Sequence, residues 1–184
     1  MLGRRDGAAH YIQTVEHERD PVRAERMLAA LARLRSDESA GRQLDFAVLA
    51  GWQSLVLAVA EPAFRTGPAF AKGGRECYGI DSGTRQRFDQ CLAQSAESGL
   101  SPAARAARAY LDVCFFHPFD DGNARAALLT LIFVLARSGI VLDQVGPIKS
   151  LARYADDPET AVELTRLVTV LVDATRRRAL RADL

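Results

Sequence analysis

The sequence predicts an all-α domain that carries one small β-hairpin, and three observations lead to this expectation. Apolar residues recur at helical spacing along most of the 184 residues. Proline follows a capping residue at Asp20, Ser101 and Asp157, as it does in the first turn of a helix. One segment, residues 64–81, instead combines glycines, a proline and alternating aromatic positions. No repeat or linker interrupts the pattern, so residues 1–184 are expected to form a single domain.

Two helices are predicted before this hairpin segment. The first covers about residues 20–35, and residues 36–41 are expected to form a polar turn. The second covers about residues 44–60, and its Trp52 is interpreted as a core residue rather than a stacking platform for a base. The apolar stripe of the first helix is expected to comprise Val22, Met27, Leu28, Leu31 and Leu34.

Five further helices are predicted after the hairpin segment. They cover about residues 85–96, 102–116, 123–137, 148–155 and 158–180. The helix over 123–137 is the most apolar stretch of the chain, so we expect other helices to surround it.

Composition and charge exclude several classes of protein. Hydrophobic residues make up 48% of the chain, which excludes a disordered chain. No apolar run approaches the roughly 18 residues that span a membrane, and no secretory signal is visible, so a cytoplasmic protein is expected. A net charge of +1 provides no electrostatic case for binding nucleic acid.

Several cysteines, histidines and arginines outside the candidate site are interpreted as structural or surface residues. Cys77, Cys91 and Cys114 match neither a zinc pattern nor a disulfide framework. His10 and His17 would lie on different helical faces, without a metal-binding pattern. The run 176–178 of three arginines is interpreted as a solvated helix end.

The run H-P-F-D-D-G-N-A-R, residues 117–125, predicts a tight polar loop between two helices. The second helix would begin near Asn123, so the amides around it would be unpaired at a positive helix end that can seat a phosphate. Gly122 lets the backbone turn and approach a ligand closely. Arg125, in the first turn, can bind phosphate oxygens through two nitrogen atoms.

The same loop supplies candidates for a base and a metal ligand. His117 closes the preceding helix and is the natural general base for a hydroxyl acceptor. Asp121 offers the hard oxygen ligand that Mg²⁺ prefers alongside substrate phosphates. Base, metal ligand and anion cradle within nine residues indicate a phosphoryl- or nucleotidyl-transfer site.

This loop resembles the signature of the Fic/Doc family, H-x-F-x-[D/E]-G-N-x-R, and the resemblance covers about residues 44–155. It implies a helical enzyme that moves a phosphorus-containing group from a nucleotide, usually ATP, onto a Ser, Thr or Tyr hydroxyl of a target protein. Mg²⁺ would be the metal cofactor. Carried over residue by residue, the resemblance implies that His117 is the base, Asp121 the metal ligand and Phe119 the loop anchor. The implied nucleotide-binding residues are Gly122, Asn123, Ala124 and Arg125.

The loop departs from the adenylylating branch of this family at two positions. Ala124 stands where a glycine is usual, and Leu128 stands where a second arginine is usual. The order A-R-A-A-L is nearer to the phosphorylating Doc branch, N-K-R-T-A-L, but lacks its lysine and threonine. We favour nucleotidyl transfer because the hairpin and Pro118 are similar to the Fic branch. Phosphoryl transfer, a small-molecule acceptor and a catalytically silent binding protein remain alternatives.

The hairpin segment resembles the family's flap, which holds the acceptor by strand addition. Its turn is predicted at Gly73-Gly74, and the docking residues would be Gly67, Pro68, Ala69 and Phe70. A surface hairpin without a catalytic role is the alternative. For Tyr154, further along the chain, a nucleotide-pocket position and a core position both remain open.

The family's inhibitory helix, [S/T]-x-x-x-E-[G/N], has no clean match in this chain. The stretch Thr14–Glu18 comes nearest, but Arg19 follows it, and the arginine it would engage is Leu128. Restraint by a partner protein is therefore a competing expectation.

Overall fold

The computed structural model describes residues 5–151 and 157–182, and most of these are helical. Before the hairpin lie α1 (Gly7–Tyr11), a π-helical turn (Ile12–Glu16), α2 (His17–Arg19), α3 (Pro21–Ser39) and α4 (Phe46–Leu57). The hairpin consists of β1 (Ala69–Ala71) and β2 (Glu76–Tyr78). After it lie α5 (Thr84–Gln94), α6 (Pro102–Phe116), α7 (Asn123–Ala136), α8 (Gly146–Ser150) and α9 (Pro158–Ala182). This arrangement confirms the predicted all-α class with a small hairpin.

Helix α7 lies at the centre of the core. Every residue from Ala126 to Ala136 is buried, which confirms that this apolar helix is surrounded. It packs against α6, α3 and α4, and α6 in turn packs against α5 and α9. The buried alanines of α6 allow its close approach to α7 because they have little side chain; they are Ala103, Ala106, Ala107 and Ala109. The candidate loop therefore joins the two helices that pack most closely in the core.

Helix α3 continues to Ser39, so the prediction of a turn from residue 36 is wrong for its first four residues. The reason is Asp37, which is buried and accepts a hydrogen bond from Nε1 of Trp52 at 2.9 Å. Arg33 and Arg42 also pair with this carboxylate. One more helical turn keeps Asp37 on the inner face, beside these partners. Trp52 is fully buried, which confirms its predicted core role.

Val22 is 55% exposed, so its placement in the apolar stripe of α3 is wrong. Met27 follows Val22 by five residues, which turns it about 140° away around the helix. Met27, Leu31 and Leu34 are buried, as predicted. The stripe of α3 therefore starts later than the sequence pattern indicated.

The segment before α3 is helical, although no helix was predicted there. The Asp6 carboxylate caps its start by accepting hydrogen bonds from the amides of Ala8 and Ala9. The amide of Gly7 donates to the carbonyl of Leu142 at 2.8 Å, and a Cβ at Gly7 would lie 2.2 Å from the carbonyl carbon of Asp143. This glycine is what lets α1 pack against the segment that follows α7.

Two helix ends differ from the prediction. Helix α4 ends at Leu57, before Pro62, because Ala58 adopts a left-handed conformation with φ of 55°. Helix α8 covers 146–150 rather than 148–155, and Tyr154 lies outside the described residues. No helix in the described part of the chain combines the length and the apolar character needed to cross a membrane.

The hairpin forms where it was predicted. Ala69 lies opposite Tyr78 and Ala71 opposite Glu76 in the antiparallel register. Gly73 and Gly74 turn the chain with φ of 68° and 85°, a conformation that glycine adopts without a steric cost. This hairpin, with its flanking residues 64–68 and 79–81, is called the flap below.

Candidate active site

The loop between α6 and α7 is bounded by two residues with left-handed backbone conformations. His117 ends α6 with φ of 44°, and its amide donates to the Val113 carbonyl at 3.1 Å. Gly122 precedes α7 with φ of 76°. A non-glycine residue in this region is uncommon, so the conformation of His117 is held by its surroundings. The loop thus displays its histidine at one end and a helix N-terminus at the other.

The imidazole of His117 is oriented by its own helix. Its Nδ1 lies 2.6 Å from the carbonyl oxygen of Cys114. A carbonyl only accepts, so Nδ1 carries the proton and Nε2 is left as the basic nitrogen. Burial lowers the pKa of His117, the bond to Cys114 opposes this effect, and the charge of Arg65 adds to the lowering. The ring is therefore neutral at pH 7, as a general base requires.

Two side chains hold the middle of the loop in the core. Phe119 is buried, and its ring lies 5.4 Å from that of Phe46 with 26° between the planes. Asn123 is buried too; its Oδ1 accepts from the Phe119 amide at 3.0 Å and its Nδ2 donates to the Phe119 carbonyl at 2.7 Å. The side chain of Asn123 thus closes the loop, and its backbone amide lies at the start of α7.

The N-terminus of α7 is the candidate anion cradle. In the described part of the chain, no acceptor binds the amides of Gly122, Asn123 and Ala124, as is usual for a first helical turn. A Cβ at Gly122 would lie 2.4 Å from Nε2 of Gln53 and 3.2 Å from Nη2 of Arg125. Gln53 can therefore approach the backbone this closely only because residue 122 has no side chain.

Gln53 supports this cradle from α4, and sequence reasoning missed it. It is fully buried, and its Nε2 donates to the Asp121 carbonyl at 2.8 Å. Its Oε1 is buried without a hydrogen-bond partner among the described residues. A glutamine in an apolar helix was the available signal, because a buried amide needs partners.

Asp121 and Arg125 carry the opposite charges of the site. The Asp121 side chain is 72% exposed and its Oδ2 lies 3.2 Å from Nη2 of Arg125, whose side chain is 20% exposed. Burial lowers the pKa of Arg125, Asp121 opposes this, and Arg23 and Arg26 add to the lowering. Two further cations of α3 and the carboxylate of Glu16 are therefore near enough to act on the charge of Arg125.

The chemistry of this donor set fits Mg²⁺ bound together with a nucleotide. No group of three or more His, Cys, Asp and Glu side chains within the described ranges could hold a metal. Asp121 offers one exposed carboxylate, and Mg²⁺ commonly takes one or two carboxylates and completes its shell with phosphates and water. Asp121 is thus the residue that would hold the ion.

The flap lies directly against the histidine. The ring of Tyr78 stacks on His117, and its hydroxyl donates to Oε2 of Glu76 at 2.8 Å. Phe70 is 63% exposed on β1, whereas Ala69 is buried. Gly67 connects to the loop through Arg65, whose guanidinium donates to the carbonyls of both Gly67 and His117 at 2.6 Å.

The structure brings most of the sequence-predicted site residues together. His117, Asp121, Gly122, Asn123 and Arg125 share one loop and helix start, and Ala124 is exposed beside them. Asp120 is exposed as well. Leu128 is 2% exposed and belongs to the core, so the position of the missing second arginine faces inward here. Arg65 and Tyr78 were not identified from the sequence, because nothing local marks them as partners of residue 117.

The site and the helical fold together are similar to those of Fic proteins. Residues 54–135 match the model of the Fic/DOC family, and this segment contains the whole candidate loop. The match, together with the Fic-domain neighbours below, confirms the resemblance that the loop indicated. No curated protein matches the chain.

Solved structures of Fic proteins share the fold. Fic-1 from C. elegans has a TM-score of 0.65 at 21% identity, over 89% of this chain and 52% of that one. A Fic domain containing signaling protein from Bacteroides thetaiotaomicron has a TM-score of 0.57 at 18% identity, over 84% and 72%. A Fic family protein from Desulfovibrio desulfuricans has a TM-score of 0.56 at 16% identity, over 96% and 59%. This chain spans about half the length of the Fic-1 structure.

Proposed function

We propose that this chain is a transferase that uses a Mg²⁺-bound nucleotide, with ATP as the reference donor. It would move a phosphorus-containing group onto a hydroxyl of a target protein. The observation that carries this proposal is one loop that holds a neutral His117, protonated on Nδ1, and the unpaired amides at the start of α7. A base and a phosphate seat at a fixed separation are what an in-line transfer to a hydroxyl needs.

The residues divide the chemistry among them. Nε2 of His117 takes the proton of the acceptor hydroxyl while the acceptor oxygen forms a bond to phosphorus and the leaving phosphate departs with the electrons of the broken bond. The amides of 122–124 hold the phosphate oxygens at the positive end of α7. Arg125 exchanges its pairing with Asp121 for phosphate. Bound Mg²⁺ supplies neutralisation of phosphate charge, held by Asp121.

The flap is the proposed acceptor-docking element, with Gly67, Pro68, Ala69 and Phe70 lining it. The described sheet has only two strands, so each strand keeps one outer edge to which an extended segment can add. Phe70 is an exposed apolar side chain in this position. The register of the bound segment would then bring a hydroxyl to His117, which contacts β2 through Tyr78.

We favour transfer of a nucleotidyl group, with release of pyrophosphate. Phosphoryl transfer, with release of a nucleoside diphosphate, is the second candidate. It is favoured by Leu128, which is buried and has no donor to fix a terminal phosphate. Arg23 and Arg26 of α3 act on the charge of Arg125 and are the nearby cations that could take over this role, which supports the first candidate.

Incubation with ATP labelled at the α- or the γ-phosphate, in the presence of lysate, tests the proposal. Label transferred to protein from the α position supports nucleotidyl transfer, and label from the γ position alone supports phosphoryl transfer. His117→Asn is the matched control, since asparagine tolerates the left-handed conformation, and its rate should fall by roughly 10²–10⁴-fold. Label in small molecules only would indicate a small-molecule acceptor. A wild-type protein that binds nucleotide without transferring label would indicate a silent binding protein.

A further inference from the structure

Arg65 is a buried cation at the centre of the flap–loop contact. Arg65 is 3% exposed, and among the described residues no carboxylate lies within ion-pair distance of its guanidinium. Burial lowers the pKa of its guanidinium, while the charges of Asp120 and Cys77 oppose this effect. Since a buried charge without an ion-pair contact is costly, the carbonyl groups around it help to compensate.

On one side Arg65 binds the end of α6. Its Nε donates to the His117 carbonyl at 2.6 Å and its Nη2 to the Phe116 carbonyl at 3.1 Å. Its own amide donates to the Pro118 carbonyl at 2.9 Å. The last carbonyls of a helix have no partner within the helix and carry partial negative charge. Arg65 therefore caps α6 at the residue that provides the base.

On the other side Arg65 binds both ends of the flap. Its Nη1 donates to the Gly67 carbonyl, two residues before β1, at 2.6 Å. Its Nη2 donates to the Gly79 carbonyl, one residue after β2, at 2.7 Å. A single planar group thus fixes where the hairpin leaves the protein and where it returns.

We propose that Arg65 is a positioning residue that couples the acceptor-docking flap to the catalytic base. The same guanidinium holds the backbone of His117 and both ends of the hairpin, so a displacement of the flap is transmitted to the base. This assignment rests on the proposed function of His117 and the flap. Lysine cannot replace the arginine, because its single ammonium lacks the planar fork that reaches carbonyls on both sides.

Two variants separate the charge of Arg65 from its geometry. Arg65→Met removes both, and Arg65→Lys keeps the charge without the fork. Arg105→Met is the matched control: Arg105 also donates to a carbonyl, that of Ser95, but it lies twelve residues before His117 on α6, about 18 Å along the helix axis.

The first readout is independent of any activity. Hydrogen exchange of the amides in β1 and β2 is measured for each variant, and both Arg65 variants should exchange about tenfold faster or more, as expected for losing hydrogen bonds to a charged group. An NMR titration measures the pKa of the His117 ring, which also reports on its other neighbours, Glu76 and the Cys114 carbonyl. Its pKa should rise in both variants because a loosened flap exposes the ring, and it should rise further in Arg65→Met, which also removes the positive charge.

The second readout is transfer to a protein acceptor. Coupling requires Arg65→Lys to lower kcat and to raise the acceptor KM in the same variant, whereas loosening of the flap alone would raise only KM. If the wild type transfers nothing, the proposed function fails, and the exchange and titration data still decide whether Arg65 couples flap and loop.

Three outcomes would overturn the coupling. The first is that the flap amides of Arg65→Lys exchange hydrogen at the same rate as those of the wild type. Arg105→Met could reproduce the changes, which would make them a general effect of destabilisation. If Arg65→Met does not fold, Arg65→Lys decides. Loss of cooperative thermal unfolding in Arg65→Lys as well would make Arg65 a residue of global stability only.

Discussion

The ring of Tyr78 lies stacked on the ring of His117, with centroids 3.6 Å apart and 19° between the planes. The flap therefore contributes part of the surface that buries His117, the proposed base. Burial is the largest cause of the lowered pKa of His117, so the flap and the protonation state of the base are physically linked.

Removing the Tyr78 ring should make His117 a stronger base. In Tyr78→Ala the imidazole gains solvent, so its pKa should rise towards its ordinary value of about 6.5. Because the neutral form is the active base, the acid limb of kcat/KM should move to higher pH by the same amount. An NMR titration of the ring measures the shift directly. Tyr78→Phe keeps the stacked ring and should titrate as the wild type does; equal titrations of all three proteins would contradict the prediction.

Asp121→Asn should remove the Mg²⁺ dependence of nucleotide binding. The variant keeps the shape of the side chain but loses the charge that would hold the ion. Calorimetric titrations of nucleotide with and without Mg²⁺ should therefore differ in the wild type and coincide in the variant. Asp120→Asn, at the exposed neighbouring position, serves as the control and should retain the dependence. The two aspartates have exchanged roles if Asp120→Asn proves to be the damaging change.

Gln53→Met should weaken nucleotide binding by about tenfold through loss of one buried hydrogen bond. Its Nε2 holds the Asp121 carbonyl, so the backbone that leads into the anion cradle would be less well fixed. Ser54→Ala is a suitable control, since the Ser54 hydroxyl bonds only within α4, to the Gly51 carbonyl. Affinity of Gln53→Met equal to that of Ser54→Ala would show that this bond has no part in binding.

Asp112→Asn should stabilise the protein at neutral pH. Burial raises the pKa of Asp112 to about 6, with Arg108 opposing, and its Oδ2 has no hydrogen-bond partner among the described residues. Between the unfolded pKa of about 3.9 and this value the folded state holds the extra proton, so the free energy of unfolding falls as pH rises through this window.

The increase in the free energy of unfolding that Asp112→Asn produces should consequently depend on pH. The free energy of unfolding, measured in urea, should be larger for Asp112→Asn than for the wild type by on the order of 2 kcal/mol near pH 7. This difference should vanish near pH 4. Asp89→Asn, at an exposed ion pair with Arg85, should change stability by about 1 kcal/mol or less. A pH-independent difference for Asp112→Asn would refute this account.

The candidate site could be predicted from the sequence where its residues are close together in the chain. Nine consecutive residues contain the proposed base, the proposed metal ligand and the proposed anion cradle, and the helices on either side follow from apolar periodicity. Arg65, Tyr78 and Gln53 were missed because they lie about 40 to 70 residues away from the groups they contact, and periodicity carries no information on such pairs. Asp37 was read as part of a turn for the same reason, since its partner Trp52 is in the next helix.

The left-handed backbone of His117 has a consequence for how this protein can change in evolution. Such a conformation costs a non-glycine residue on the order of 1 kcal/mol, and glycine or asparagine would occupy position 117 with less strain. Selection for stability and selection for catalysis therefore favour different residues at position 117. In a lineage released from its catalytic task, position 117 is expected to drift first to glycine or asparagine, with a gain in stability that accompanies the loss of the base.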